Sequence, residues 1–97
     1  MLTLAFESTI FEWRGPSPYF FAAIPSQHSG AIRHAAKLAS YGWGVVPVEA
    51  IIADVTFTTS LFPKDEGYLL PIKDKVRRAA RVTAGDSIRV KMTVKAR

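Results

Sequence analysis

The 97-residue sequence contains no cysteine. This absence excludes disulfide bonds, thiolate catalysis, iron–sulfur clusters and cysteine-based zinc sites. The sequence also lacks any apolar run close to the roughly 20 residues that a helix needs to cross a bilayer. Its first nine residues show neither the basic segment nor the sustained apolar stretch of a secretory signal peptide. We therefore expect a cytoplasmic protein without a membrane partner.

Basic residues are scarce in the first two thirds of the chain. Residues 1–63 contain three Lys or Arg against four Asp or Glu, a net charge of −1, whereas residues 64–97 contain ten against four, a net charge of +6. The excess in the last third favours an anionic partner there. The alternative is a solvated basic face that serves only solubility.

The composition is that of one globular domain, with 48% hydrophobic and 22% charged residues. We expect a single domain spanning residues 1–97, without repeats or linkers. Alternation of apolar and polar residues predicts a strand from Leu2 that continues, with a bend, to Trp13. A second strand covers residues 19–24, after a proline-rich break. Ser26 is the expected N-cap of a helix whose apolar stripe extends to Ala39.

The rest of the chain reads as a hairpin, a further strand, a helix and a last strand. The hairpin covers residues 45–59 with its turn at Asp54. A strand follows at residues 68–70. We expect Leu70 to lie in the core and Leu69 to point away from it, because side chains alternate along a strand. A helix is predicted for Ile72–Arg81, with Asp74 and Arg78 paired at i,i+4. The last strand is Ser87–Val94. Its expected core residues are Ile88, Val90, Met92 and Val94.

These elements give six strands and two short helices, so the predicted fold is mainly β. Because closure removes exposed strand edges, we expect a small six-stranded closed or nearly closed β-barrel. A flat sheet with both helices on one face is the alternative.

Several ordered motifs resemble one known family. They are Trp13–Phe20, Gly42–Val48, Thr59–Lys64, Gly67–Pro71 and Gly85-Asp86. Together they closely resemble the bacterial domain of unknown function numbered nineteen-oh-five, over almost the whole chain. The resemblance implies a small β-barrel found alone or fused to a YdeI/OmpD-associated-type domain, with no agreed activity or catalytic residues. This chain departs from the family pattern at Ala53-Asp54, where glycines are expected, and at Phe57, where tryptophan is common.

A looser likeness covers the strand, helix and glycine turn from Leu70 to Val90. This segment is similar to the half-unit of AbrB-like swapped-hairpin DNA-binding domains, which supports barrel topology more than DNA binding. No spacing of acidic residues or histidines indicates a metal site. His28 and His34 lie on different faces of a helix and are expected to be surface residues. We therefore predict no cofactor, no metal and no catalytic residues.

The better candidates for a site are aromatic and basic. A mixed set in irregular segments is expected to line a ligand-binding cleft, because amphipathic rings beside cations are common there. Its members are Trp13, Arg14, Tyr19, Trp43, Lys64 and Tyr68. The alternative is that the two tryptophans plug the barrel ends.

A second set of candidates would bind anions. Lys73, Arg77 and Arg81 form a stripe on the predicted helix with little acidic compensation. Together with Arg89, Lys91 and Lys95 they could form a cationic face for phosphates. The alternative is solvated charge.

Three functions follow from these candidates. The first is a non-catalytic module that binds a small anionic ligand or a protein partner. The second is a nucleic-acid-binding module that uses the basic last third and exposed rings for stacking. The third is an enzyme whose residues converge only in three dimensions. The sequence fixes neither the ligand nor the oligomeric state.

Overall fold

A computed structural model describes residues 2–14, 19–38 and 46–95. Within these ranges the chain forms six strands and two α-helices. The strands are β1 (Leu2–Trp13), β2 (Tyr19–Ala23), β3 (Val46–Ile52), β4 (Val55–Lys64), β5 (Gly67–Pro71) and β6 (Ser87–Val94). The helices are α1 (Ser29–Leu38), preceded by a 3₁₀ turn at Ser26–His28, and α2 (Asp74–Ala80). None of the helices in these ranges is long and apolar enough to cross a membrane.

The strands close into an antiparallel barrel in the order β1-β2-β5-β4-β3-β6, which confirms the predicted fold. Two strands, β1 and β4, change partner along their length. β1 pairs with β6 through residues 2–9 and with β2 through residues 10–13. β4 pairs with β3 through residues 55–61 and with β5 through residues 62–64. The barrel therefore has two halves, one centred on β3 and β6 and the other on β2 and β5.

The core lies inside the barrel, on one face of each strand. The alternation predicted for β6 is confirmed, because its even-numbered side chains are buried while Arg89 and Lys91 face solvent. The most deeply buried large side chains include Ile10, Ile32, Ile52, Leu70, Ile72 and Met92. With these in place the barrel has a continuous apolar interior.

The helices lie in the connections β2–β3 and β5–β6 and add Ile32, Val76 and Ala80 to the core. The prediction that Ser26 caps a helix was wrong. Pro25 occupies the cap position of the 3₁₀ turn, no side chain caps that turn, and α1 begins at Ser29. A serine before an apolar helical stripe usually indicates an N-cap, and this pattern was misleading here. The turn begins at Pro25, whose ring restricts the backbone but cannot cap a helix with a side-chain oxygen.

Helix α2 is shorter than predicted, and it ends where Arg81 adopts the left-handed conformation with φ 58°. The predicted pair within the helix is confirmed, with Arg78 Nη2 3.0 Å from Asp74 Oδ2. Beyond the helix, Gly85 has φ 93°, a value that favours glycine. Asp86 accepts a 2.8 Å hydrogen bond from the Thr83 amide and so fixes the turn into β6.

Candidate functional site

The outer face of the β2–β5 half of the barrel carries a cluster of aromatic rings. We call it the outer aromatic cluster; its members are Phe11, Trp13, Tyr19, Phe21 and Phe62. Because side chains alternate along a strand, Phe11 and Trp13 point away from the core that Ile10 enters. Pairing places Phe11 opposite Phe21 and Trp13 opposite Tyr19. The cluster is therefore built by neighbouring strands and lies outside the barrel.

Phe21 is the centre of this cluster. Its ring centroid lies 6.0 Å from those of Phe11 and Trp13, 6.2 Å from that of Tyr19 and 5.7 Å from that of Phe62. Trp13 and Phe62 meet edge to face at 6.0 Å. Such tilted and edge-to-face pairs stabilise by about 0.5–1.5 kcal/mol beyond their area burial. The rings thus hold one another in place.

The cluster covers its own centre but leaves its rim in solvent. Phe21 is only 4% exposed, whereas Phe11 is 38%, Trp13 and Phe62 are 43% and Tyr19 is 60% exposed. The exposed rings therefore form a contiguous apolar surface on the barrel.

Leu69 belongs beside this cluster. It pairs with Phe62 on one side and Ala23 on the other, and it is only 7% exposed although it lies outside the core. The prediction that Leu69 points away from Leu70 is therefore confirmed. It points into an apolar layer on the outer face and not into solvent.

The predicted cleft set is only partly brought together. Lys64 Nζ lies 4.5 Å from the centroid of the Trp13 ring, and Trp13 and Tyr19 are cross-strand partners. Tyr68 is separate, because its partly buried side chain packs against the core. Arg14 is exposed at the end of β1. Trp43 lies outside the described residues, and the role of the whole set in ligand binding stays a prediction.

Trp13 does not plug the barrel, since its ring lies with Phe21 and Phe62 on the outer face. The sequence analysis missed Phe11, Phe21 and Phe62. A signal for Phe11 exists: it is out of phase with Phe6 and Ile10, so β1 changes from one apolar face to two. An apolar side chain out of phase with its strand indicates a second apolar surface.

The three residues of the predicted anion-binding stripe, Lys73, Arg77 and Arg81, differ in their exposure to solvent. Arg77 has Cζ 3.6 Å from the Phe20 ring centroid, donates a 2.6 Å hydrogen bond to the Ile72 carbonyl and contacts Asp74 Oδ1 at 3.3 Å. These contacts attach α2 to β2 and to the residues just before the helix. Lys73 and Arg81 are exposed. Anion binding by these three residues stays a prediction, and Arg77 is the least accessible of them.

The remaining basic residues lie on the other half of the barrel. Arg89 and Lys91 are on the outer face of β6, where Arg89 Nη2 contacts Glu7 Oε1 at 3.0 Å. β6 pairs with β1 only through residues 2–9, whereas Phe11 and Trp13 are on the part of β1 that pairs with β2, so these cations and the outer aromatic cluster are on different halves of the barrel. Among the described residues there is no group of three or more acidic residues or histidines that could hold a metal ion.

Comparison with known families gives one match. A family model described as Domain of unknown function (DUF1905) matches residues 6–92. The chain belongs to the DUF1905 family. The match covers nearly the whole chain, so the family expected from the ordered motifs is confirmed, and its small β-barrel agrees with the structure. No curated protein matches the sequence. Membership of DUF1905 assigns no activity.

Proposed function

We propose that this domain is a non-catalytic protein-interaction module and that its contact surface is the outer aromatic cluster. The partner is an acidic segment of another polypeptide that packs apolar side chains on the rings. The observation that carries the proposal is the group of four rings, 38–60% exposed, around a buried Phe21.

The cluster is not needed to complete the barrel. The core on the opposite face of these strands, which includes Ile10, Ala22 and Leu70, is already closed. Contiguous exposed apolar surface with a polar rim is typical of protein interaction sites. Aromatic residues are also enriched at the buried centres of interfaces, where a few of them carry most of the binding energy.

The shape of the surface favours a polypeptide over a small molecule. Small ligands bind mainly in concave pockets, whereas these rings cover the outer face of a barrel. Trp13 and Phe62 meet edge to face, with an interplanar angle of 86°, so the two rings do not form one flat surface on which a planar small molecule would stack.

Charge favours an acidic partner. The Lys64 ammonium is held over the Trp13 ring at the edge of the cluster, where it can donate to a carboxylate. The net charge of +5 favours long-range encounter with acidic segments, and Lys64 is a cation that lies at the cluster itself. We expect the affinity to fall with salt.

A peptide-display selection tests this proposal. A random peptide library is selected against the wild-type domain, and the enriched peptides are measured against Trp13→Ser and Phe62→Ser. Leu38→Ser is the matched control, because Leu38 is a large apolar side chain on α1, 74% exposed, and is not one of the rings that form the cluster. Enriched peptides should combine acidic with aromatic or aliphatic residues and bind the two cluster variants at least about tenfold more weakly, a loss of 1.4 kcal/mol.

The proposal is wrong if the selected peptides bind the cluster variants as tightly as the control, or if no peptide is enriched. Light scattering is measured in parallel over a range of protein concentrations. Self-association that disappears in Trp13→Ser would identify a second copy of the chain as the occupant and would overturn the choice of an acidic partner.

A further inference from the structure

Part of β4 has a partner strand on one side only. Residues 55–61 of β4 pair with β3, whereas its pairing with β5 is confined to residues 62–64. Within the described ranges no other strand pairs with residues 55–61. One edge of β4 is therefore unpaired over this stretch, which we call the open β4 edge.

The strand register shows which backbone groups point to the open β4 edge. The two-residue turn between β3 and β4 makes Ile52 and Val55 a hydrogen-bonded pair, so the peptide groups of the odd-numbered residues of β4 face β3. Those of the even-numbered residues face the opposite side, on which Phe62 pairs with β5. The even-numbered residues of the unpaired stretch are Thr56, Thr58 and Ser60. No residue in the described parts of the chain forms a backbone hydrogen bond with these three on that side.

The start of α2 approaches the open β4 edge without covering it. An open groove of about 520 Å³ lies there, and its lining includes Thr58 and Ser60 on the strand and Lys73 beside the helix. The side chains of Thr56, Thr58 and Ser60 are exposed. A further strand, at the usual spacing of about 4.8 Å from β4, therefore has access to the edge.

The composition of this stretch favours strand pairing. Residues 55–62 contain no charged residue, no proline and no glycine, and six of the eight are β-branched or aromatic. Proteins usually protect edge strands with charged side chains or proline. Residues 2–9 of β1, which pair only with β6, include the charged Glu7. The open β4 edge has no such protection.

We propose that the open β4 edge binds the same edge of a second copy of the chain, so that two barrels join through an antiparallel β4–β4 pair. A two-fold axis at Thr58 places Thr58 opposite itself and Thr56 opposite Ser60 of the second copy. Each of the three resulting pairs exchanges two backbone hydrogen bonds, 3 × 2 = 6 in all. This antiparallel register is the one that uses all three residues.

Self-complementarity favours a second copy as the occupant. A two-fold interface places each side chain of the edge near its own symmetry mate, so a charged edge would oppose like charges. Residues 55–62 carry no charge and avoid this repulsion. The contact is independent of the outer aromatic cluster and of the function proposed for that cluster.

Sedimentation equilibrium of the full chain, at concentrations up to about 1 mM, should show a monomer–dimer equilibrium. Thr58→Pro removes the N–H at the centre of the open β4 edge and leaves the ladder to β3 intact, because that N–H points away from β3. This variant should raise the dissociation constant of the dimer at least about tenfold. Thr58→Val is the matched control, since it keeps the N–H and the β-branched shape, and it should change the constant less than about twofold.

A charge-swap experiment tests the two-fold register without a change of backbone. Thr58→Lys and Thr58→Glu should each be monomeric, because residue 58 faces itself and like charges would lie opposite each other. An equimolar mixture of the two variants should associate again. Circular dichroism of each variant checks that the barrel is folded.

Amide hydrogen exchange locates the contact. Exchange at Thr56, Thr58 and Ser60 should slow as the protein concentration rises, while the amides of residues 55, 57 and 59, which already bond to β3, should not change. A chain that stays monomeric up to about 1 mM, a dimer that persists in Thr58→Pro, or a mixture that does not associate would overturn the proposal. Association that is lost in Trp13→Ser and kept in Thr58→Pro would place the contact at the outer aromatic cluster and would also overturn it.

Discussion

The guanidinium of Arg77 stacks on the ring of Phe20, with Cζ 3.6 Å from the ring centroid. Phe20 is on β2 and Arg77 on α2, so the contact joins elements 57 positions apart in the chain. The amide of Ile72 also donates to the Phe20 carbonyl at 2.8 Å. Together these contacts fix the start of α2 against β2.

Replacing Arg77 by alanine should lower the free energy of unfolding by about 1.5–3 kcal/mol, since it removes a largely buried cation–π contact and a charged hydrogen bond to the Ile72 carbonyl. Urea denaturation measures this loss. Arg78→Ala is the matched control on the same helix, because its side chain is 74% exposed and its ion pair with Asp74 contributes only about 0.3–0.5 kcal/mol. Equal losses in the two variants would contradict the structural role of Arg77.

Leu70→Ala should destabilise by roughly 2–5 kcal/mol, because Leu70 is fully buried in the core and its truncation leaves a cavity. Leu69→Ala should cost toward the lower end of that range, since the thinner outer layer around Leu69 can collapse into the space. Chemical denaturation of both variants measures the difference. A negligible loss at Leu70 would mean that β5 does not face the core as described.

The hairpin turn between β3 and β4 stores backbone strain. Ala53 and Asp54 have φ of 47° and 65°, both in the left-handed region. This pair of positive angles matches the two-residue turn that favours asparagine and glycine in hairpins. Ala53→Gly should therefore raise the free energy of unfolding by about 0.5–1 kcal/mol.

Ala84→Gly is the control for this turn. Ala84 is also an exposed turn residue but is not among the described residues with positive φ, so glycine there should lower stability through the entropy of the unfolded chain. Thermal denaturation of both variants gives the comparison. Stabilisation by both substitutions, or by neither, would contradict the strain at Ala53.

Local patterns explain what the sequence could predict of this fold. The strict alternation from Ile88 to Val94 assigned each side chain of β6 to the correct face, because only one face of that strand is apolar. The hairpin position was also predictable, although its turn type required the φ values of Ala53 and Asp54.

The site was harder to predict because it depends on pairing between distant strands. Trp13, Tyr19 and Lys64 were expected to act together, and the structure brings them near one another. Phe62 was missed because nothing in the sequence gives the β4–β5 register that places it against Trp13. Similarly, Arg77 contacts Phe20, which lies 57 positions earlier in the chain. The sequence does not show this contact, so Arg77 was interpreted as one cation of an exposed helical stripe.

The last prediction concerns nucleic acid. Stacking of bases requires exposed rings beside a positive surface that follows the phosphates. Here the exposed rings of Trp13 and Tyr19 lie on the β2–β5 half, whereas Arg89 and Lys91 lie on the other half, and Arg89 is paired with Glu7. We therefore expect single- and double-stranded oligonucleotides to bind no tighter than nonspecific contacts, about 10⁻⁴–10⁻⁶ M at physiological salt.

Titration of mixed-sequence oligonucleotides at two salt concentrations measures this. Binding that is tighter, falls steeply with salt and is weakened by Lys91→Gln would contradict the prediction, because it would show that the β6 face neutralises phosphates. Trp13→Ala distinguishes the two surfaces. If bases stack on the outer aromatic cluster, this variant should lose about 1–3 kcal/mol of binding free energy for single strands and little for duplex, whose bases are already stacked.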